Sequence, residues 1–187
     1  EICAVLSFSA IQNNDKVGII FFSDRIEKFI PPKQGKSHIL RIIRELIDFK
    51  PEHKGTDLSE ALRYLTNVVK KRSIAFLLTD FMDSDYSDAL KLANKKHDLV
   101  AIRVYDQLEQ EVPNVGLLPM TDTETGEMIW VDTSKKESRT KLKASALKFE
   151  AELKDTLLKS GVDMAEIRTD HSYVKPLLNL FKRRGAK

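Results

Sequence analysis

The stretch KGTDLSEALRYLTNVVKKRSIAFLLTDF, residues 54–81, decides the reading of the fold. Leu58, Ala61, Leu62, Leu65, Val68 and Val69 recur at the spacing of one helical face, which predicts an amphipathic helix opening just after Thr56 and Asp57. Residues 74–78 then form a short, continuous apolar run, as in a strand buried on both faces. In a parallel α/β sheet, the loop entering that helix and the strand end at Thr79, Asp80 and Phe81 face one edge. That edge is where such folds bind ligands.

Toward the N-terminus, Ile2, Ala4, Val5, Leu6, Phe8 and Ile11 are apolar nearly all round a helix, which predicts packing on both sides. Asn13, Asn14 and Asp15 stop it. Residues 17–22 are a second continuous apolar run, expected as a strand buried on both faces of a parallel sheet. Ser23 and Asp24 turn the chain into residues 26–30, whose apolar positions alternate as in an antiparallel edge strand ended by Pro31 and Pro32. Ser37 is the expected cap of a helix that turns Ile39, Leu40, Ile43, Leu46 and Ile47 inward and is bounded by Pro51.

Toward the C-terminus, residues 89–93 lie in a short helix and residues 99–104 form another buried strand. Residues 116–120 and 128–131 flank the polar turn Thr123, Glu124, Thr125, Gly126 and read as an inserted β-hairpin. A long helix carries Leu142, Ala146, Phe149, Leu153 and Leu157 on one face and stops at Gly161. Residues 162–167 are the last strand. The final helix begins near Ser172, because Pro176 is tolerated only close to a helix start, and it packs Leu177, Leu178 and Phe181. This alternation predicts an α/β fold, a doubly wound and mostly parallel sheet with an antiparallel edge strand and an inserted hairpin.

Composition bounds the function. At 187 residues and 42% hydrophobic, the chain is expected to form one domain over residues 1–187 with a continuous core. Its 31 basic residues are nearly matched by 28 acidic ones spread along the chain, which excludes the dense basic stripe of a nucleic-acid binder. The run Lys182, Arg183, Arg184, Lys187 reads as a solvated helix end favoured by the helix dipole. The lone Cys3 suits packing in a reducing compartment and rules out a Cys-rich zinc site. No stretch approaches the roughly 20 apolar residues of a membrane span and no signal peptide opens the chain, so the expectation is a soluble, cytoplasmic domain. It starts at Glu1 without a methionine, as if cut from a longer protein.

The chemistry is that of oxygen ligands. Neither a Gly-rich phosphate loop nor a GxSxG elbow is present. His38, His53, His97 and His171 lack metal-ligand spacing and fall at helix ends or in loops, where capping and solvent exposure account for them. A hard cation such as Mg2+ takes hydroxyl, carboxylate and water oxygens, and Thr56 and Asp80 offer the first two. The plainer reading makes Thr56 or Asp57 the cap of a helix whose Glu60 completes a capping-box-like pair, and Asp80 the end of a strand. Asp83, Asp85 and Asp88 read as a solvated cluster without the spacing of a calcium loop.

Several separated motifs carry a resemblance in the same order. They are Asp15 to Gly18 before a strand, Ile30-Pro31-Pro32 ending the hairpin, Gly55-Thr56-Asp57-Leu58 opening a helix, and Thr79-Asp80-Phe81 closing a strand. To these are added the stretch 103–113 with Asp106 and Glu109, then Asp122, Glu124, Thr125, Gly126 and Val131, Asp132, Thr133. In this order the chain resembles the von Willebrand factor A-like domains, and more narrowly the bacterial DUF58 family found beside MoxR-type AAA+ ATPases. The resemblance implies a metal-ion-dependent adhesion site in which Thr56 is the threonine ligand and Asp80 the aspartate, with Mg2+, or Mn2+ or Ca2+, as the ion. The DxSxS segment of that site has no counterpart here and belongs to a central strand expected upstream of Glu1. Phe81 stands where many of these domains have glycine.

Together these expectations describe a non-enzymatic binding module that holds an acidic residue of a protein partner, a MoxR-type AAA+ ATPase or its client. A metal-free scaffold contacting partners through the hairpin around Trp130 is the second reading, and a doubly wound enzyme acting on a phosphorylated or nucleotide ligand the third. Lack of a central strand exposes the edges of its neighbours, so a chain extended upstream is expected to unfold at a higher urea concentration than this one. Equal midpoints for the two would refute the missing strand.

Overall fold

A computed structural model describes residues 1–53, 55–121 and 128–185. The chain divides into two compact units, one of residues 1–75 and 81–99, the other of residues 76–80 and 100–187. The chain passes between the units three times.

In the first unit, α1 (Ile2–Gln12) is followed by β1 (Val17–Phe22) and β2 (Ile26–Lys33), which pair antiparallel as a two-stranded sheet. Three expectations need correction here. Helix α1 packs against α2 (Lys36–Asp48) and buries only Ser7, leaving Val5 and Phe8 exposed. Strand β1 is half-buried, with Phe21 alone fully covered, so its apolar run is not sandwiched on both faces. Strand β2 runs through Pro31 and Pro32 to Lys33.

Gly18 explains how the prolines are accommodated. A Cβ on Gly18 would stand 2.8 Å from both Ile30 O and Pro32 N, and the register shifts between Val17 and Ile19. The missing side chain lets the proline ring lie against β1, and the bulge absorbs the lost ladder bond.

Phe21, Ile30 and Ile42 form the core of this sheet, with Phe49 stacked on Phe21 at 4.5 Å between ring centroids. Helix α2 starts after Gly35, at φ +104°, and has no side-chain cap, so Ser37 is not the cap expected. Its inward residues are Ile39 and Ile42, while Ile47 is 76% exposed. Helix α3 (Leu58–Val68) matches its sequence pattern, burying Leu58, Ala61 and Leu62, and packs on α4 (Ser87–Lys96).

The second unit is built on a three-stranded parallel sheet in the order β3 (Ile74–Thr79), β4 (Asp98–Tyr105), β7 (Asp163–Arg168). Strand β4 is central and nearly all buried, as its apolar run requires. A four-residue helix, α5 (Gln107–Gln110), follows it with a full capping box from Asp106 and Glu109. The expected hairpin is present as β5 (Leu117–Thr121) and β6 (Met128–Asp132); the turn at Thr123, Glu124, Thr125 and Gly126 lies outside the described residues. Helices α6 (Lys136–Lys159) and α7 (Val174–Gly185) pack on β7. Gly161, at φ +69°, ends the turn after α6, and Pro176 sits in the first turn of α7, both as the sequence predicts.

Arg103 interrupts the apolar run of β4 and is only 2% exposed. Its guanidinium lies over the Tyr105 ring at 4.8 Å and the Phe149 ring at 5.2 Å, with Glu166 Oε1 at 3.4 Å and Glu109 Oε2 at 3.8 Å. Two carboxylates and two ring faces offset the cost of desolvating the cation.

Replacement of Gly18 by Ala is expected to lower the unfolding free energy by about 1–3 kcal/mol, the usual range for forcing a methyl group into packed structure. Urea denaturation measures it, and an unchanged midpoint would show that the bulge gives way freely.

Candidate functional site

The first unit carries the loop before α3, and the side chains around that loop fix its course. Four N–H groups at a helix start have no partner within the helix. At α3, Asp57 Oδ1 accepts from Glu60 N at 2.7 Å, and Asp83 Oδ2, from a separate loop, accepts from Leu58 N at 2.7 Å. Asp57 N in turn donates to Ser23 O at the end of β1, 2.8 Å away. Ser59 Oγ donates to Asp85 O at 3.1 Å. The loops 55–59 and 83–85 and the end of β1 are thereby tied to one helix start.

Glu27 anchors the preceding residues. Its carboxylate accepts from Ser23 Oγ at 2.8 Å and from the backbone N–H groups of His53 at 3.1 Å and Glu52 at 3.4 Å. These bonds, led by that from Ser23, hold its pKa below the ordinary carboxylate value. Gly55 then takes φ +99°, a conformation open to glycine, and delivers the exposed Thr56.

Asp57 is thus the cap, and the choice left open between Thr56 and Asp57 falls on Asp57. The Thr56 hydroxyl makes no hydrogen bond among the described residues. Asp80, in the second unit, is exposed just past the end of β3, where its Oδ1 accepts from Thr79 Oγ1 at 3.4 Å. Both residues offer oxygen only, the donor chemistry of a hard divalent cation, but one hydroxyl and one carboxylate leave most of an octahedral shell to water or to other segments. Among the described residues no group of three or more His, Cys, Asp or Glu side chains is placed to hold a metal ion.

Two residues behave differently from their sequence reading. Asp83 is not one of a solvated cluster: it is half-buried, and besides Leu58 N it holds Ser84 N at 2.7 Å. His97 is not explained by solvent exposure, because it is fully buried, with Nδ1 3.2 Å from Ser73 Oγ and Nε2 without a hydrogen-bond partner among the described residues. Burial, then the charge of Lys96, pushes its pKa down and keeps the ring neutral.

Phe81 was the least legible position. It has φ +65°, a strained conformation for a bulky residue, yet it is completely buried and packs against Tyr86 at 6.0 Å. Burial of the ring offsets a backbone cost on the order of 1–3 kcal/mol. Glycine would adopt the same turn without strain. The phenyl group instead anchors the residues that follow Asp80.

Residues 1–152 match the family described as "Protein of unknown function DUF58". Uncharacterized protein Rv1480 of Mycobacterium tuberculosis is 22% identical over 190 residues, covering 98% of this chain and 59% of that protein. This chain thus spans less than two thirds of the length of such relatives. Uncharacterized protein MAV169 of Mycobacterium avium is 24% identical over 164 residues, covering 84% of this chain and 95% of that protein. Among solved structures, the conserved hypothetical protein BatB from Bacteroides thetaiotaomicron aligns over 100% of this chain and 88% of its own, with a TM-score of 0.54 and 18% identity. The likeness supports an α/β fold.

Asp83→Ala is expected to destabilise the chain by about 1–2 kcal/mol, as loss of a helix-capping carboxylate does, in urea unfolding at pH 7. Because the Glu27 pKa is depressed in the folded chain, its contribution is present above the unfolded-state value of about 4.3 and is lost as pH falls through the lower folded value. Glu27→Gln should therefore flatten the acid limb of stability against pH. An acid limb identical to that of the unaltered chain would remove Glu27 from the loop's support.

Proposed function

The chain belongs to the DUF58 family, and on that premise we propose that it is a protein-binding module rather than an enzyme, serving a MoxR-type AAA+ ATPase or the client of one. Contact with the partner is made through an adhesion-type site in which Thr56 and Asp80 are ligands of Mg2+ and an acidic residue of the partner completes the shell. The observation that carries this reading is the state of Thr56. Asp57 and Asp83 together satisfy N–H groups at the start of α3, while Thr56 beside them is exposed and its hydroxyl makes no hydrogen bond among the described residues. A purely structural loop has no need to present it. The ion, when bound, supplies a positive centre for a carboxylate; the loop bonds around Gly55 and Asp57 hold Thr56 in place without one.

In this reading the remaining ligands come from a strand upstream of Glu1. The longer mycobacterial relatives leave room for such a segment. Half-burial of the apolar β1, and the 62% exposure of Ile74 at the start of β3, are what strands short of a neighbour would show.

A second reading rests on the hairpin. Pro119 and Trp130 are cross-strand partners, and the alternation of the strands puts Leu117 and Met128 on their face. Leu117, Trp130 and Met128 are 65%, 66% and 73% exposed, an apolar surface of the kind used for protein contact. This scaffold function needs no metal.

Titration calorimetry with Mg2+ and Mn2+ on this chain and on an upstream-extended one separates the readings. Binding is expected in the extended chain and is expected to vanish in Thr56→Ala and in Asp80→Ala, with urea midpoints within about 0.5 kcal/mol of the parent, as for exposed substitutions. If neither chain takes up either ion, the metal site is wrong and the hairpin becomes the leading surface.

A further inference from the structure

The three-stranded sheet ends at β7, whose second edge has no strand beside it among the described residues. A groove of about 780 Å3 follows that edge. Its walls are one face of α6, with Leu157 and the 78% exposed Leu158, and one face of α7, with Pro176, Lys182 and Arg183. Val162 and Ala165 give it an apolar floor. Lys182 and Arg183 are exposed in the last turn of α7, the solvated helix end that the sequence suggests, and they also line this groove.

Charge decides what the groove accepts. Its two acidic side chains are each held by an arginine that does not line it: Asp163 by Arg184 at 2.7 Å and Glu166 by the buried Arg103 at 3.4 Å. Lys154 is tied to Glu150 and, at 3.2 Å, to Glu166. Lys182 has no ion-pair or hydrogen-bond partner among the described residues. Arg183 donates to Met164 O at 3.0 Å, a carbonyl of the strand itself. The charge left unmatched is cationic, above an apolar floor and a strand edge that has no strand beside it among the described residues and on which the Arg183 side chain occupies the Met164 carbonyl.

We propose that this edge is a docking site for an extended, acidic segment of a protein partner, added to β7 as a strand with its carboxylates on Lys182 and Arg183. Strand addition supplies backbone hydrogen bonds, while the groove selects side chains. The opposing view is that Lys182 and Arg183 only guard an edge against pairing, as charged residues do on many sheets. The two make opposite statements about an acidic strand, which is drawn to a cationic guard and not repelled by it.

The test is fluorescence anisotropy of a fluorescein-labelled peptide of about eight residues, a common strand length, alternating Glu with Val. Two further probes are the same peptide with Lys for Glu, and the Glu peptide N-methylated at alternate residues. The Glu peptide is expected to bind saturably. The Lys peptide should not bind, and N-methylation or the double variant Lys182→Glu/Arg183→Glu should each weaken binding by about tenfold or more. Absence of binding by the Glu peptide overturns the proposal. So does equal binding of the N-methylated peptide, which would mean bare electrostatic attraction. Circular dichroism checks that the double variant folds; should it not, Leu158→Glu, at an exposed position on the opposite wall, decides, and binding unchanged in it overturns the site.

Discussion

The N–H groups that open α3 impose the constraint on which the first unit's loops depend. A helix start offers donors with no partner inside the helix, and here they are met from two places in the sequence, Asp57 beside the helix and Asp83 some two dozen residues on. The same turn is fastened to the end of β1 through Asp57 N and Ser23 O, and to the start of β2 through Glu27. One elementary need, pairing helix donors, gathers three segments and fixes where Thr56 stands. Phe81 extends the arrangement: its buried ring holds an unfavourable backbone turn just after Asp80 and ahead of the capping Asp83.

In the second unit a charge at the centre of the sheet plays the organising part. Arg103 occupies a position that its neighbours Ile102 and Val104 would fill with an aliphatic side chain, and it is kept there by Glu109, Glu166, Tyr105 and Phe149. These partners come from α5, β7, β4 and α6, so the cation joins four elements. Removal of one partner would leave a buried charge short of compensation, which is costlier than the pair is stabilising. By neutralising Glu166 from behind, Arg103 also leaves the groove along β7 with a cationic surplus.

The likeness to BatB agrees with the α/β arrangement, and the relatives, themselves uncharacterized, leave function to physical argument. Three features stand out. Thr56 and Asp80 have the right donor atoms for a hard cation in numbers too small to hold one alone. The β5–β6 hairpin exposes Trp130, Met128 and Leu117. The edge of β7, with no strand beside it among the described residues, carries unmatched positive charge.

By itself the sequence determined most of the helices and strands in their order, the hairpin and the stop at Gly161, because each follows from local periodicity or from a backbone preference; it left the cap of α3 between Thr56 and Asp57 and did not show the short α5. It also marked Thr56 and Asp80 by their motifs. What the tertiary structure alone decided concerns partners distant in the chain. Apolar runs in β1 and α1 promised full burial, but burial depends on neighbours, and among the described residues β1 pairs with β2 alone. Pro31 and Pro32 promised a strand end, but Gly18 admits the Pro32 ring. Asp83 read as one of three solvated acids until the start of α3 supplied a donor, and His97 as a solvated helix end until the fold closed over it. Composition and spacing report a residue's own preferences; the cost of an unpaired donor, a buried ring or an uncompensated charge is set by what the fold brings beside it.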